Sequence, residues 1–213
     1  NNIQGLSIAQ IGAQAVASVQ TASLAGLSTA QIAAFTTSNI AGLTTTQLSA
    51  FGLTQVGSVE TAEIAAMSSV QINALDTAQL QALSSSQLQA LTTSNVVGLR
   101  LQGVTSSAIR AIETADLNAL SSLQWIDGIT VDNVIGLSTS QLNSIGADRL
   151  SLLESRDIHA MQSLQIQALS TAQVSSVTAG FLQALSTQNV QGLSAVSISS
   201  LSITQVSALE TQD

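Results

Sequence analysis

The chain has 213 residues, a formal net charge of −8, and an apolar fraction of 45% of which almost none is aromatic. Its cations are four arginines set against twelve acids, a balance that repels phosphate backbones and anionic membrane surfaces and so excludes nucleic-acid binding. Cysteine and proline are absent, which excludes disulfides, thiolate catalysis and cysteine-ligated zinc. Polar residues interrupt every apolar run, so no insertion into a membrane is expected.

An eight-residue unit repeats almost without break, with the pattern Leu-(Ser/Thr)-(Ser/Thr)-x-(Gln/Asn)-(Ile/Leu/Val)-x-(Ala/Gly/Ser). The sixth position of this octad steps by eight from Ile8 to Val104, restarts at Ile109, and continues to Val206. All 26 of these positions are Ile, Leu or Val. The spacing predicts two slips of register: a five-residue step between Val104 and Ile109, and a nine-residue unit around Trp125, with Trp125 at the amide position.

The octad is incompatible with one continuous helix. At about 100° per residue, eight residues advance about 800°, so an apolar stripe would drift by about 80° in every repeat. Within a few repeats the stripe would face water. The chain is therefore expected to turn once per octad.

Capping signals show where each short helix should begin. A Ser, Thr or Asp three residues before a Gln matches the capping box, in which the hydroxyl or carboxylate and the amide each bond the other's backbone N–H. In chain order these boxes fall at 28–31, 44–47, 76–79, 84–87 and 170–173. Behind each box, an aliphatic pair such as Ile32 and Phe35 shares one helical face. A helix of one to two turns is too short to be stable alone, so stacking must bury this pair.

These features predict an all-α solenoid, or superhelix, of one-to-two-turn helices. A β-solenoid is the alternative, because Thr, Val and Ile favour strands. We expect one continuous octad solenoid over residues 1–213. We also expect an internal duplication of about 94 residues (roughly 3–99 and 104–209), since 36–99 and 130–193 share 29 identities in 64 positions.

No residue pattern predicts an enzyme. His159 is the only histidine and is expected to be a solvated surface side chain. Neither a nucleophile elbow nor a phosphate-binding glycine loop occurs. The acid pairs Glu60/Glu63 and Glu154/Asp157 could contribute to a calcium site, but the Asp/Gly-rich loop that calcium prefers is missing. Acids in the first helical turn, opposite the helix dipole, are the simpler interpretation, so neither metal nor cofactor is expected.

Candidate interface residues come from the register slips, the cations and the ends of the repeat. Trp125 is either a filler of the lengthened unit or an exposed anchor for a partner. The arginines either make surface ion pairs or mark a subunit contact. At both ends the octad runs on without a divergent cap, which predicts head-to-tail contact with another copy or with flanking repeats. The candidates are Trp125, Arg100, Arg110, Arg149, Arg156, Ile3, Ile8, Val206 and Leu209.

Octads such as Leu-Ser-Thr-Ala-Gln-Ile-Ala-Ala (27–34) and Leu-Ser-Ser-Ser-Gln-Leu-Gln-Ala (83–90) resemble the short repeats of very long type I-secreted proteobacterial surface proteins of the adhesin-like and RTX-like kind. The resemblance covers nearly the whole chain and is one of repeat style and composition. It implies an extracellular, fibrous or matrix role, without the RTX calcium nonapeptide. We therefore expect a structural, self-associating protein of the cell surface (a filament, surface-layer or adhesin-stalk component). The alternative is a solenoid that binds a surface glycan or protein.

Overall fold

Short helices follow one another through the whole of the computed structural model, which describes residues 5, 7–12 and 16–209. Within those residues every regular element is an α-helix or a 3₁₀-helix, three to seven residues long, and none is a strand. The all-α prediction is confirmed and the β-solenoid alternative is wrong. The chain divides into two compact units, Asn1–Val104 and Thr105–Asp213.

The first unit contains ten α-helices and three 3₁₀-helices among its described residues. They are α1 Ile8–Gly12, η1 Val16–Ser18, α2 Thr21–Ala25, α3 Thr29–Ala33, α4 Thr37–Gly42, α5 Thr45–Ser49, α6 Leu53–Val56, α7 Thr61–Ala66, α8 Ser69–Asn73, α9 Thr77–Gln81, α10 Ser85–Gln89, η2 Val96–Gly98 and η3 Leu101–Gly103.

The described part of the second unit contains twelve α-helices and one 3₁₀-helix. They are α11 Ser106–Ile109, α12 Thr114–Ala119, α13 Ser122–Gly128, α14 Val131–Val134, α15 Thr139–Ser144, α16 Ala147–Leu150, α17 Ser155–Ala160, α18 Ser163–Gln167, α19 Thr171–Ser176, α20 Ala179–Gln183, η4 Val190–Gly192, α21 Ala195–Ser199 and α22 Ile203–Leu209.

Each predicted capping box is present and makes the bend between octads. Ser28, for example, is extended, with φ −70° and ψ 160°, and its hydroxyl accepts from the backbone N–H of Gln31. The Gln31 side-chain oxygen accepts in return from the Ser28 backbone N–H at 3.0 Å. No described residue has a positive φ. The chain therefore turns through an extended cap residue and needs neither glycine nor proline at the corner.

The apolar residues at the sixth and first positions of each octad form the core. Ile32 and Phe35 are buried, as are their counterparts at the sixth and first octad positions from Ile11 to Leu185. Polar residues at the second, third and fourth positions of the octad are mostly exposed. The predicted core pattern is thus confirmed, and each of these octads contributes two large side chains to the core of its own unit.

Helices stack on helices three octads away. In the first unit α5 packs against α2 and α8, and in the second α15 packs against α12 and α18. Equivalent residues of such a pair are 24 residues apart, or three octads of eight. Hydrogen bonds described below reach back 31 residues, just under four octads. One coil therefore takes between three and four octads.

The structure places both register slips at residues that differ from the predicted ones. Leu101 and Val104 are both buried, and Thr105 caps the next helix, so Leu101 fills the sixth position and Val104 the first. The short unit is thus 99–103. The prediction placed Val104 at the sixth position, which left the polar Ser107 where an apolar residue belongs; that assignment is wrong.

The second slip lies inside α13. Ser121 caps this helix with Gln124 as its amide, so the next residue, Trp125, is at the sixth position and is 1% exposed. Ile126, predicted at that position, is on the surface. The extra residue extends α13 to seven residues, before the chain enters the next octad at Ile129. The prediction that Trp125 replaces the amide is wrong.

The predicted single solenoid and its duplication stay predictions. Within their own units, Met67 and Met161 hold the same place, directly after α7 and α17, and both are buried.

Candidate functional site

A row of buried side-chain amides, which we call the amide row, runs through each unit at the fifth octad position. Every member donates two hydrogen bonds from its side-chain NH₂ to backbone carbonyls of the preceding coil, over 2.5–3.4 Å. The members are Gln47, Gln55, Gln71, Gln79, Gln87, Asn95, Gln141, Gln165, Gln173, Asn189 and Gln205.

Gln79 shows how one amide serves two purposes. Its Oε1 accepts from the backbone N–H of Asp76, closing the capping box at 3.0 Å. Its Nε2 donates to the carbonyl oxygens of Leu48 at 3.0 Å and Phe51 at 2.8 Å. These carbonyls lie at the end of α5 and in the turn that follows, where backbone acceptors are not fully paired within the helix; the Leu48 carbonyl also accepts from the Phe51 N–H at 3.0 Å. The amide therefore caps its own helix and the end of the helix below.

Sequence reasoning found the cap but missed the bonds between coils. A Glu would complete a capping box as well as a Gln does, yet the fifth position is Gln or Asn far more often than it is Glu. That preference for a group that both accepts and donates was the available signal. It indicates an acceptor opposite the NH₂ group, although the sequence does not say which carbonyl it is.

Where the amide is the shorter Asn, glycine follows three residues later. Asn95 and Asn189 precede the 3₁₀-helices η2 and η4 and make the same two inter-coil bonds as Gln. A Cβ added to Gly98 would overlap the carbonyl oxygen of Ser69, and one on Gly192 would overlap that of Ser163. At these two places, therefore, the asparagine belongs to the amide row and the glycine permits the closer approach of the coils.

Two of the candidate interface residues, Trp125 and Arg149, meet inside the second unit. Arg149 takes the amide position and donates to the carbonyls of Leu117, Asn118 and Leu120 over 2.7–3.1 Å. Its guanidinium carbon lies 5.8 Å from the centre of the Trp125 ring, and the indole N–H donates to Leu117 as well, at 3.3 Å. The interpretation of Trp125 as an exposed anchor is wrong, because the ring is buried as a filler.

The other three arginines lie on the surface. Arg156 pairs with Glu154 at 2.8 Å and with Asp157 at 3.9 Å, and these are the ion pairs found among the described residues. Arg100 donates to the Leu75 carbonyl. Arg110 lies between two shallow grooves of about 310 Å³ each, beside the exposed Ile135.

Three acids interrupt the amide row: Glu63, Asp116 and Asp157 are buried at the fifth position. Each lies in the first turn of its helix, as predicted for Glu63 and Asp157, but is buried away from water. Glu63 Oε2 and Asp157 Oδ1 have no hydrogen-bond partner. A Glu occupies the N-cap of all three helices and makes no side-chain capping bond.

Burial changes the titration of two of these acids. Burial, and secondarily the Glu113 carboxylate, raise the pKa of Asp116 above its ordinary value. Burial also raises the pKa of Asp157, against the opposing influence of Arg156 and of the Glu154 backbone N–H. A charged carboxylate is thus disfavoured at Asp116 and Asp157 because water is largely excluded from them.

His159 is exposed, as predicted, and lines a groove of about 620 Å³ with Met161, Ser163 and Gln188. In the part of the chain that the structure describes, no three His, Cys, Asp or Glu side chains come together to hold a metal ion. Nor is any described helix both long and apolar enough to cross a bilayer.

The last coil of the second unit has an open apolar side, which we call the end face. Its sixth and first octad positions are half-buried or exposed, whereas the same positions of inner coils are buried. The members are Val190, Leu193, Ile198, Leu201, Val206 and Leu209. Two predicted interface residues, Val206 and Leu209, therefore lie on it. At the other end Ile3 lies outside the described residues, as does the side chain of Ile8.

The fold and the amide row define the chain as an all-helical repeat protein of the solenoid class. Residues 16–54 and 56–93, two adjacent segments of the first unit, match the family model described as the ALTTAQ repeat. This match supports the repeat assignment over those segments. No curated protein and no solved structure matches the chain.

Proposed function

We propose that this protein is a non-enzymatic structural component of the bacterial cell exterior that assembles head to tail. The observation that carries the proposal is the end face. Ile198 is 47% exposed, while its counterparts one coil earlier, such as Val174, are fully covered by the next layer of octads. An apolar coil face of this kind is stable in water once another coil covers it.

The backbone carbonyls of the end face also support contact with another octad coil. Gln205, the last member of the amide row, donates to the carbonyls of Val174 and Val177. By the same spacing of 31 and 28 residues, the carbonyls of Ile198 and Leu201 are placed to accept from the amide of a further octad coil. Such a coil, from a second copy or from flanking repeats, would supply both the apolar pairs and the amides, and we propose a second copy as the partner. Such a contact between unlike faces can propagate.

An extracellular location fits the composition. The surface is made polar by hydroxyl and amide groups, and only 8% of residues are charged. The absence of cysteine avoids wrong oxidation during export and outside the cell. Together with the resemblance of the octads to those of secreted surface proteins, this supports a filament, surface-layer or adhesin-stalk role.

The alternative function, glycan binding, finds no exposed Phe, Tyr or Trp side chain among the residues that the structure describes. All four aromatic side chains, Phe35, Phe51, Trp125 and Phe181, are buried. No Phe, Tyr or Trp ring is therefore available to stack on a sugar.

We expect a single charge on the end face to weaken self-association. Ile198→Lys places an ammonium group where a second coil should pack, which should raise the dissociation constant about tenfold or more, since about 1.4 kcal/mol corresponds to tenfold. Sedimentation velocity over a concentration series measures this. Leu123→Lys is the matched control: Leu123 is 70% exposed at the side of a coil, and its replacement should leave association unchanged. A wild-type chain that stays monomeric at high concentration would contradict the proposal.

A further inference from the structure

The inference concerns one side of the second unit, where an unpaired arginine lies among exposed aliphatic residues. Arg100 and Arg149 donate to backbone carbonyls, and Arg156 pairs with Glu154. Among the residues that the structure describes, Arg110 is the one arginine that makes neither a hydrogen bond nor an ion pair. Its guanidinium can therefore bind a carboxylate from outside the chain.

Arg110 belongs to a surface that we call the side patch, which comprises Arg110, Asp132, Ile135 and Leu164. Helix α11 packs against α14, and the Arg110 side chain lines two shallow grooves together with Ile135. Ile135 is 36% exposed, and Leu164, which lines one of these grooves, is 64% exposed. Asp132 lies three residues before Ile135, on the same face of α14, and is exposed. The side patch thus presents one cation, one anion and apolar surface to the solvent.

The first unit has the same framework without these side chains. There η1 packs against α4 as α11 packs against α14. At the octad positions that correspond to the two charges and the isoleucine of the side patch, the first unit carries small exposed residues: Ala17, Ser38 and Ala41. Stacking of the coils therefore requires neither the two charges nor the large aliphatic side chain. Their presence in the second unit is better explained by a contact with another molecule.

The two opposite charges of the side patch favour a second copy of this chain as that molecule. A contact around a twofold axis presents the same patch on both sides, so the patch must be complementary to itself. An axis midway between Arg110 and Asp132 sets the guanidinium of each copy opposite the carboxylate of the other, with the aliphatic residues between them. A partner of one charge sign would instead place like charges together at one of these two residues, which opposes binding.

We propose that the side patch is a lateral, twofold contact between two copies of this chain, formed by reciprocal Arg110–Asp132 ion pairs around exposed aliphatic residues. It uses none of the residues of the end face, so it adds to the proposed head-to-tail contact and does not depend on it. A twofold contact closes after two copies, whereas a head-to-tail contact can continue. Together the two contacts link two rows of chains side by side.

Charge reversal tests the proposal in a chain that carries Ile198→Lys, in which end-to-end association is weakened and the lateral dimer should remain. Adding Arg110→Asp leaves two acids in the side patch, and adding Asp132→Arg instead leaves two arginines. Both symmetry-related ion pairs then become repulsive. Each variant alone should raise the dissociation constant of the dimer about tenfold or more, as measured by sedimentation velocity over a concentration series.

Mixing the two variants provides the decisive measurement. An equimolar mixture of the Arg110→Asp and Asp132→Arg chains should recover the dimer, because the acids of one copy then face the arginines of the other. Misfolding of either variant cannot produce such a recovery. Asp127→Arg is the matched control: it makes the same change of charge at an exposed residue outside the side patch and should leave the dimer unchanged.

Two results would overturn the lateral contact. One is an Ile198→Lys chain that stays monomeric at high concentration; wild-type oligomers in the same experiment would leave the head-to-tail proposal standing. The other is a loss of the dimer in both charge variants without recovery on mixing, because reciprocal ion pairs would then not be its cause. A wild-type chain that forms this dimer and nothing larger would support the side patch and contradict the head-to-tail contact.

Discussion

Replacing Gln79 by Leu should lower the free energy of unfolding by about 3–5 kcal/mol, a large part of the stability of an ordinary domain. Leu is one bond shorter than Gln, and it neither donates nor accepts. The change strands the backbone N–H of Asp76 and the carbonyl of Phe51, and it removes one of the hydrogen bonds that the Leu48 carbonyl accepts. Each buried polar group without a partner costs about 1–3 kcal/mol, and the added apolar surface offsets part of this.

Urea unfolding followed by circular dichroism measures the effect. Gln81→Leu is a matched control two residues along the same helix, because Gln81 is exposed; its unfolding free energy should change by less than about 0.5 kcal/mol. Equal effects of the two substitutions would mean that the Gln79 amide contributes no more than a surface glutamine.

Substituting Gly98 by Ala should destabilise the first unit by about 1–3 kcal/mol or more, the usual cost of forcing extra atoms into a packed site. The new Cβ would overlap the carbonyl oxygen and carbon of Ser69, and backbone cannot move aside as a flexible side chain does. Relief requires η2 to move away from α8, which also stretches the bonds from Asn95 to Ile64 and Met67.

Gly57→Ala provides the comparison within the same unit. A Cβ there would touch the carbonyl oxygens of Ala82 and Leu53 at 3.5 Å, an ordinary contact, and Ala is common at this octad position. We expect a neutral or slightly stabilising change, since alanine lowers the entropy of the unfolded chain. Differential scanning calorimetry measures the thermal unfolding midpoint of each variant. Similar midpoints for Gly98→Ala and Gly57→Ala would show that the coils do not approach closely at Gly98.

Much of the fold follows from the sequence because each octad repeats the same local chemistry. The caps at Ser28 and Thr44 and the buried pair Ile32 and Phe35 are determined by neighbours within eight residues. The number of octads in a coil is not, because it depends on contacts across 24 to 31 residues. The positions of the two register slips were predicted wrongly for a related reason. At the first slip the apolar pattern accommodates either Leu101 or Val104 at the sixth octad position, and at the second either Trp125 or Ile126. Only packing selects between them.

The candidate site was less accessible from sequence. Arg149 looked like a surface cation, yet at the fifth octad position it replaces an amide and bonds three carbonyls. Glu63 and Asp157 looked like solvated acids of a first helical turn, because the capping-box pattern gives no information on which side of a short helix faces the next coil. The end face was predicted only through Val206 and Leu209, and its other members become visible once the last coil is seen.

Hydrogen exchange of the side-chain amides, resolved by NMR, most directly tests whether Gln79 joins two coils. The structure predicts that the NH₂ protons of Gln79 exchange with solvent many-fold more slowly than those of Gln81 in the same helix, since only the former are held by carbonyls of the preceding coil. Equal, fast exchange at both residues would contradict the stacked arrangement.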